Sequence, residues 1–283
     1  MKFAEAVDHF SKVTQYLSED DLEREWEWGE YDEGLRFTFF RVYEELRTLA
    51  ARLGTARIGS ERPLSTTQRI LAQYHAAYRD LRAVLIGIRV AEGGRQPAEG
   101  EWSLKEVLAH IIGAERAFFA VTLDALQRER SADGRPMEMT DEAWDAFWEG
   151  DPFDQLKKEG ELSSILAYYD DLHWRVLRAF DDITDDELSI GAVFWESDPM
   201  TVEFRLHRFD AHLRQHTIQA EKTLELLDLR PSEAKRLLRH IHAALAEVEG
   251  ITIGYEDLGA DERQRVADEI VGYADEVARV ISG

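Results

Sequence analysis

Apolar residues recur three and four positions apart along almost the whole chain, and two-residue alternation never lasts beyond a few positions. This pattern predicts an all-α fold. One long amphipathic helix is expected over 66–90, with Ile70, Leu71, Tyr74, Tyr78, Leu81 and Leu85 on its apolar stripe. Residues 92–100, with three glycines and Pro97, break it. A complete helix start follows: Ser103 is the expected N-cap, Glu106 its capping-box partner, and Trp102 is placed to staple onto Val107. This second helix runs to about 128 and carries His110 some two turns in. The stretch 131–160 reads as irregular apart from a short helix at 141–148. A third long helix is expected over 162–180. Thr184 and Glu187 repeat the capping-box spacing, and a fourth helix over 201–227 lies between Pro199 and Pro231.

Four long helices with an elaborated crossover describe a four-helix bundle over 61–230. The flanks 1–60 and 231–283 also keep helical periodicity and need a core of their own. They echo the bundle. LRFTFFRVYEEL from Leu35 and VEFRLHRFDAHL from Val202 stand 167 positions apart, as do RILAQYHAA from Arg69 and RLLRHIHAA from Arg236. VLAHIIG from Val107 and VADEIVG from Val266 stand 159 apart. The flanks are therefore expected to be degenerate half-repeats that close a second, pseudo-symmetric bundle. The N-terminal flank matches the third and fourth helices, and the C-terminal flank the first and second.

Charge and composition narrow the partners. The 57 acidic residues against 34 basic ones give a formal charge of −23, which repels nucleic-acid backbones and anionic lipid surfaces. There are no cysteines, so a metal must be held by nitrogen and oxygen. The longest apolar runs, such as 118–123, fall far short of the ~20 residues that cross a bilayer. The first residues, MKFAE, lack a leader pattern, and the expected location is cytoplasmic.

Candidate chemistry lies in the histidines. His212 and His216 stand four apart on one expected helix, with Cβ atoms about 5–6 Å from each other, close enough to share a metal ion. The same spacing serves a solvated or hydrogen-bonded pair equally well, and His110 by itself reads as a satisfied buried histidine.

Resemblance separates these readings. The segment WSLKEVLAH ending at His110 resembles the motif that opens the second helix of the DinB superfamily, and HLRQHTIQ from His212 resembles the superfamily's fourth-helix motif. The resemblance implies that His110, His212 and His216 bind a divalent metal (Zn, Ni, Fe or Mn) with part of its coordination open. Many relatives carry another histidine beside the ligand and a glycine before the glutamine, where this chain has Gln215 and Ile218. Relatives include thiol-dependent transferases and a mycothiol-dependent maleylpyruvate isomerase, which implies activation of a low-molecular-weight thiol for transfer to a small-molecule substrate. Metal-dependent hydrolysis is the neighbouring alternative. A non-enzymatic binding or stress-response module with a structural metal, or none, is the other. In the second copy Glu45, Leu49 and Glu269 fall where His212, His216 and His110 stand, which makes a poor metal site and a structural half. That half is expected to stand in for the partner subunit of dimeric relatives, giving a pseudo-dimeric monomer, with a homodimer as the alternative.

Further polar and aromatic residues have two readings each. Glu106 orients a ligand or serves the cap; Asp210 and Gln219 support ligands or are solvated; Trp144, Trp148 and Trp195 wall a pocket or anchor loops. His207 lies about 140° around the helix from His212 and is left outside the site, and His75 and His242 are expected to serve packing.

Overall fold

The computed structural model describes residues 3–132, 134–196 and 198–283; the first two positions of the N-terminal MKFAE, one position of the irregular stretch, and residue 197 lie outside the description. Among the described residues there are twelve α-helices and two small hairpins, an all-α fold. Helices α1 (Phe3–Thr14) and α2 (Glu19–Leu22) lead through strands β1 (Glu25–Trp28) and β2 (Tyr31–Gly34) into α3 (Arg36–Ile58). Then come α4 (Thr66–Val84), α5 (Val90–Gly93), α6 (Leu104–Ser131), α7 (Asp141–Phe147), α8 (Phe153–Glu159) and α9 (Leu162–Phe180). A 3₁₀ turn (Glu187–Ser189) and strands β3 (Gly191–Ala192) and β4 (Met200–Thr201) precede α10 (Val202–Leu226), α11 (Glu233–Thr252) and α12 (Ala260–Ser282).

Local chemistry accounts for most boundaries. The Ser103 hydroxyl accepts from the Glu106 N–H at 3.3 Å, while the Glu106 carboxylate accepts from the Ser103 N–H and hydroxyl, each at 2.8 Å. This closed box starts α6 where the sequence placed it. The long helix expected to 90 stops instead at Val84. The Leu85 and Ile86 N–H groups turn onto the Leu81 and Ala83 carbonyls, and Gly87 then takes φ +69, a left-handed conformation that glycine adopts without a Cβ clash. The stretch 131–160 is less irregular than expected, because it holds α8 as well as α7. Both hairpins escaped the periodicity reading. In the first, Trp26 and Trp28 alternate with glutamates across four residues only, and Gly29 at φ +62 makes the turn.

The chain forms two compact units: one of residues 1–64, 78–87 and 230–283, the other of 65–77 and 88–229. The division falls inside α4. In the second unit, Phe209 of α10 is buried against Tyr74 of α4, Phe118 of α6 and Phe180 of α9, with ring centroids 5.1, 5.5 and 6.3 Å away. One aromatic from each of four helices thus meets in a shared core. Between α6, α4 and α9 the fully buried Glu115 accepts hydrogen bonds from the hydroxyls of Tyr74 (2.5 Å) and Tyr169 (2.9 Å). Burial pushes this carboxyl up to about 8, and the two hydroxyls only partly offset it.

The first unit draws its core from both termini. Phe10 and Phe39 meet edge to face at 5.2 Å within a cluster that also takes Leu46, Leu53, Leu238, Leu245, Val266 and Ile270. Here the order helix, short capped turn, hairpin, helix runs from α1 to α3; in the other unit it runs from α9 to α10. Among the described residues no helix is long and apolar enough to cross a membrane.

Candidate metal centre

Two helices bring the three predicted histidines together. α6 carries His110, and α10 carries His212 and His216 one turn apart; their ring nitrogens lie within 4.8 Å of one another. The His110 and His212 Nε2 atoms are 3.2 Å apart, and ring centroids are separated by 5.1 Å (His110 to His212), 4.4 Å (His110 to His216) and 4.4 Å (His212 to His216). Zinc–imidazole bonds of 2.0–2.1 Å in a tetrahedral sphere place neighbouring nitrogens about 3.3 Å apart, so the spacing of the two Nε2 atoms suits a shared cation. His212 and His216 are 7% exposed, whereas His110 is open to solvent.

Its surroundings keep the His212 ring neutral. Burial, followed by the neighbouring His216 and His110 rings and Arg208, pulls His212 down to about 3. His110 is lowered as well, first by desolvation and then by His216 and Lys157. A neutral imidazole offers the lone pair a cation needs. The His212 Nδ1 is buried and has no hydrogen-bond partner among the described residues, an orphan in a cluster that otherwise lacks counter-charge. His216 is better anchored. Its Nδ1 lies 2.7 Å from Gln219 Oε1, which can only accept, so Nδ1 carries the proton and Nε2 keeps its lone pair.

The remaining candidates divide. Gln219 supports His216, but Asp210 is engaged by Arg214 at 2.7 Å. Glu106 is held in the cap, and Ser103 keeps its carboxyl below the usual range. His207 is exposed and outside the cluster. His75 is buried against His173 at 2.9 Å, and His242 against the Ser11 hydroxyl at 3.0 Å. Trp148 meets Phe147 edge to face and lies under Arg116, and Trp195 packs on Phe118. None of the three tryptophans proposed as pocket walls lines the cleft that opens at His110; Trp102 does, its ring 5.2 Å from His110. Sequence reasoning had given Trp102 only the stapling role.

In the first unit, Glu45 and Glu269 adjoin each other. Arg41 donates to Glu45 at 2.7 Å and Arg265 to Glu269 at 2.6 Å. Desolvation, then Glu269, raises the Glu45 carboxyl. Two guanidiniums therefore occupy the charges that a cation would otherwise need.

No curated protein and no solved structure matches the chain. The family model of the DinB superfamily matches residues 73–220, from the middle of α4 to a point in α10 beyond all three histidines. The match spans just over half of the 283 residues, and the chain belongs to the DinB superfamily.

Proposed function

We propose that the chain is a divalent-metal-dependent enzyme in which His110, His212 and His216 hold the metal and a low-molecular-weight thiol is activated for transfer to a small-molecule substrate. The observation that carries the metal reading is the approach of two imidazole Nε2 atoms to 3.2 Å beside a third ring, in a cluster that takes in no carboxylate among the described residues. When bound, the metal supplies a Lewis acid that lowers the proton affinity of a thiol or water. The chain's own residues do the rest. α6 and α10 fix the three rings, Gln219 selects the tautomer of His216, and Phe118, whose ring stands 5.7 Å from His212, covers one side of the site with apolar surface. Three protein ligands, with His110 at the open edge, favour chemistry over a structural site, which is normally closed by four.

Metal analysis of protein purified without chelators tests this. One equivalent of a first-row divalent metal per chain is expected, lost in both His110→Ala and His212→Ala. Wild type without stoichiometric metal, or variants that retain it fully, would overturn the reading. With metal established, a panel of thiols and electrophiles separates transfer from hydrolysis. Gln219→Leu is expected to weaken metal binding by about 10–100-fold, because His216 then lacks the acceptor that fixes its proton. Gln219→Glu, which still accepts from Nδ1, is expected to bind near the wild-type level; titration with a competing chelator reads both.

The first unit is, in the same reading, a degenerate copy of the metal-bearing one. The recurring element order supports it, as does the meeting of Glu45 with Glu269 at the positions that correspond to His212 and His110.

A further inference from the structure

The open cleft at His110 has a volume of about 720 Å³ and is lined by Gln96, Trp102, Lys105, Glu106, Lys157 and Lys158 beside the histidine. Three of the chain's seven lysines gather here, on a protein with a net charge of −23. They come from separate elements: Lys105 from the first turn of α6, Lys157 and Lys158 from α8. None of them forms an ion pair among the described residues. Elsewhere in this unit arginines pair with carboxylates, as at Arg116–Asp151 and Arg205–Glu196, and Lys222 pairs with Glu101 at 3.1 Å. The single carboxylate on the cleft wall, Glu106, is already engaged by two hydrogen bonds from Ser103. The cleft therefore presents three ammonium groups against one committed carboxylate, a local excess of positive charge that focuses small anions toward His110.

We infer that the substrate handled at this centre is a small organic anion whose carboxylate or phosphate is taken by Lys105, Lys157 and Lys158, with Trp102 covering its apolar part. The inference rests on the metal-centre reading for where the reaction occurs, but anion capture is a property of the lysines alone. Ammonium groups act as mobile point charges, suited to an anion that enters an open cleft, so positive charge at these positions is what the capture requires.

Isothermal titration calorimetry of the full chain, metal-free and Zn²⁺-loaded, at low ionic strength, tests it with succinate, phenyl phosphate and neutral succinamide. At least one anion is expected to bind the metal-free protein about tenfold or more tighter than succinamide, and the tighter of the two identifies the anionic group. K105Q/K157Q/K158Q is expected to weaken that binding about tenfold or more, while K105R/K157R/K158R keeps it. Circular dichroism checks that both triple variants fold. Anions that bind no better than succinamide overturn the inference. So does binding that appears only with Zn²⁺ and ignores the lysines, because the anion is then merely a metal ligand. A chain that captures anions through the lysines yet holds no metal would instead sink the metal-centre reading and leave this one standing.

Discussion

Glu115→Gln is expected to abolish a stability loss that the wild type suffers as pH rises from about 4.5 to about 8. The carboxyl is fully buried and held up to about 8 by desolvation, whereas in the unfolded chain it titrates near its ordinary value of 4.5. Its folded-state affinity for the proton is the higher one. Its contribution is thus fully present below 4.5 and is lost as pH rises through the folded value, the reverse of a salt-bridged carboxylate. Between the two values the folded state keeps a proton that the unfolded state has released, and stability falls by about 1.4 kcal/mol per pH unit, with a ceiling of about 5 kcal/mol. Glutamine is nearly isosteric with the protonated acid and can still accept from Tyr74 or Tyr169 through its carbonyl. Other groups drive stability the opposite way: His212 and His242, both pulled down to about 3 chiefly by burial, favour the fold as pH rises toward 6.5. The readout is therefore the difference between variant and wild type in urea denaturation at pH 5 to 8, which cancels these shared contributions. A difference that stays flat across the range would show that Glu115 is ionised in the folded protein.

That network was not legible in the sequence, and the reason is distance along the chain. Tyr74 and Tyr169 lie 41 and 54 residues from Glu115, and no spacing rule connects them. The Ser103 and Glu106 cap was legible because both partners sit within one turn. So was the pairing of His212 with His216, as a pair with two readings; His110 joined them only through the resemblance, since nothing local distinguishes a histidine facing another helix from one facing apolar neighbours. The lysine-lined cleft was hidden by a missed helix. Lys157 and Lys158 lie on the seven-residue α8, too short for apolar periodicity to register, in a stretch that read as irregular. The end of α4 was missed for the opposite reason: the apolar stripe continues through Leu85, but Gly87 turns the backbone away. Patterning reports which face is apolar and says little about where the chain stops being helical.

Saturating divalent metal is expected to stabilise the wild type by about 4 kcal/mol when free metal reaches a thousand times its dissociation constant, and to leave His212→Ala unchanged. A cation held by His110 on α6 and by His212 and His216 on α10 links two helices that come apart on unfolding, so it binds the folded state alone. Protons compete for the same nitrogens, and the increment shrinks as pH falls. His212 in the folded chain is held down to about 3 by burial, whereas in the unfolded chain the same ring protonates near 6.5. Metal-free protein accordingly loses stability from this residue as pH drops from 6.5 toward 3, and metal adds its own proton-sensitive term. Thermal unfolding with zinc and with chelator, for wild type and His212→Ala, reads the effect directly. Equal transition temperatures with and without metal in the wild type would mean that the imidazoles meet without holding a cation. A metal effect that survives in His212→Ala would place the cation elsewhere. A shift confined to the wild type ties metal, histidines and helix pairing to one site, the condition under which the cleft beside His110 can present substrate to a reactive centre.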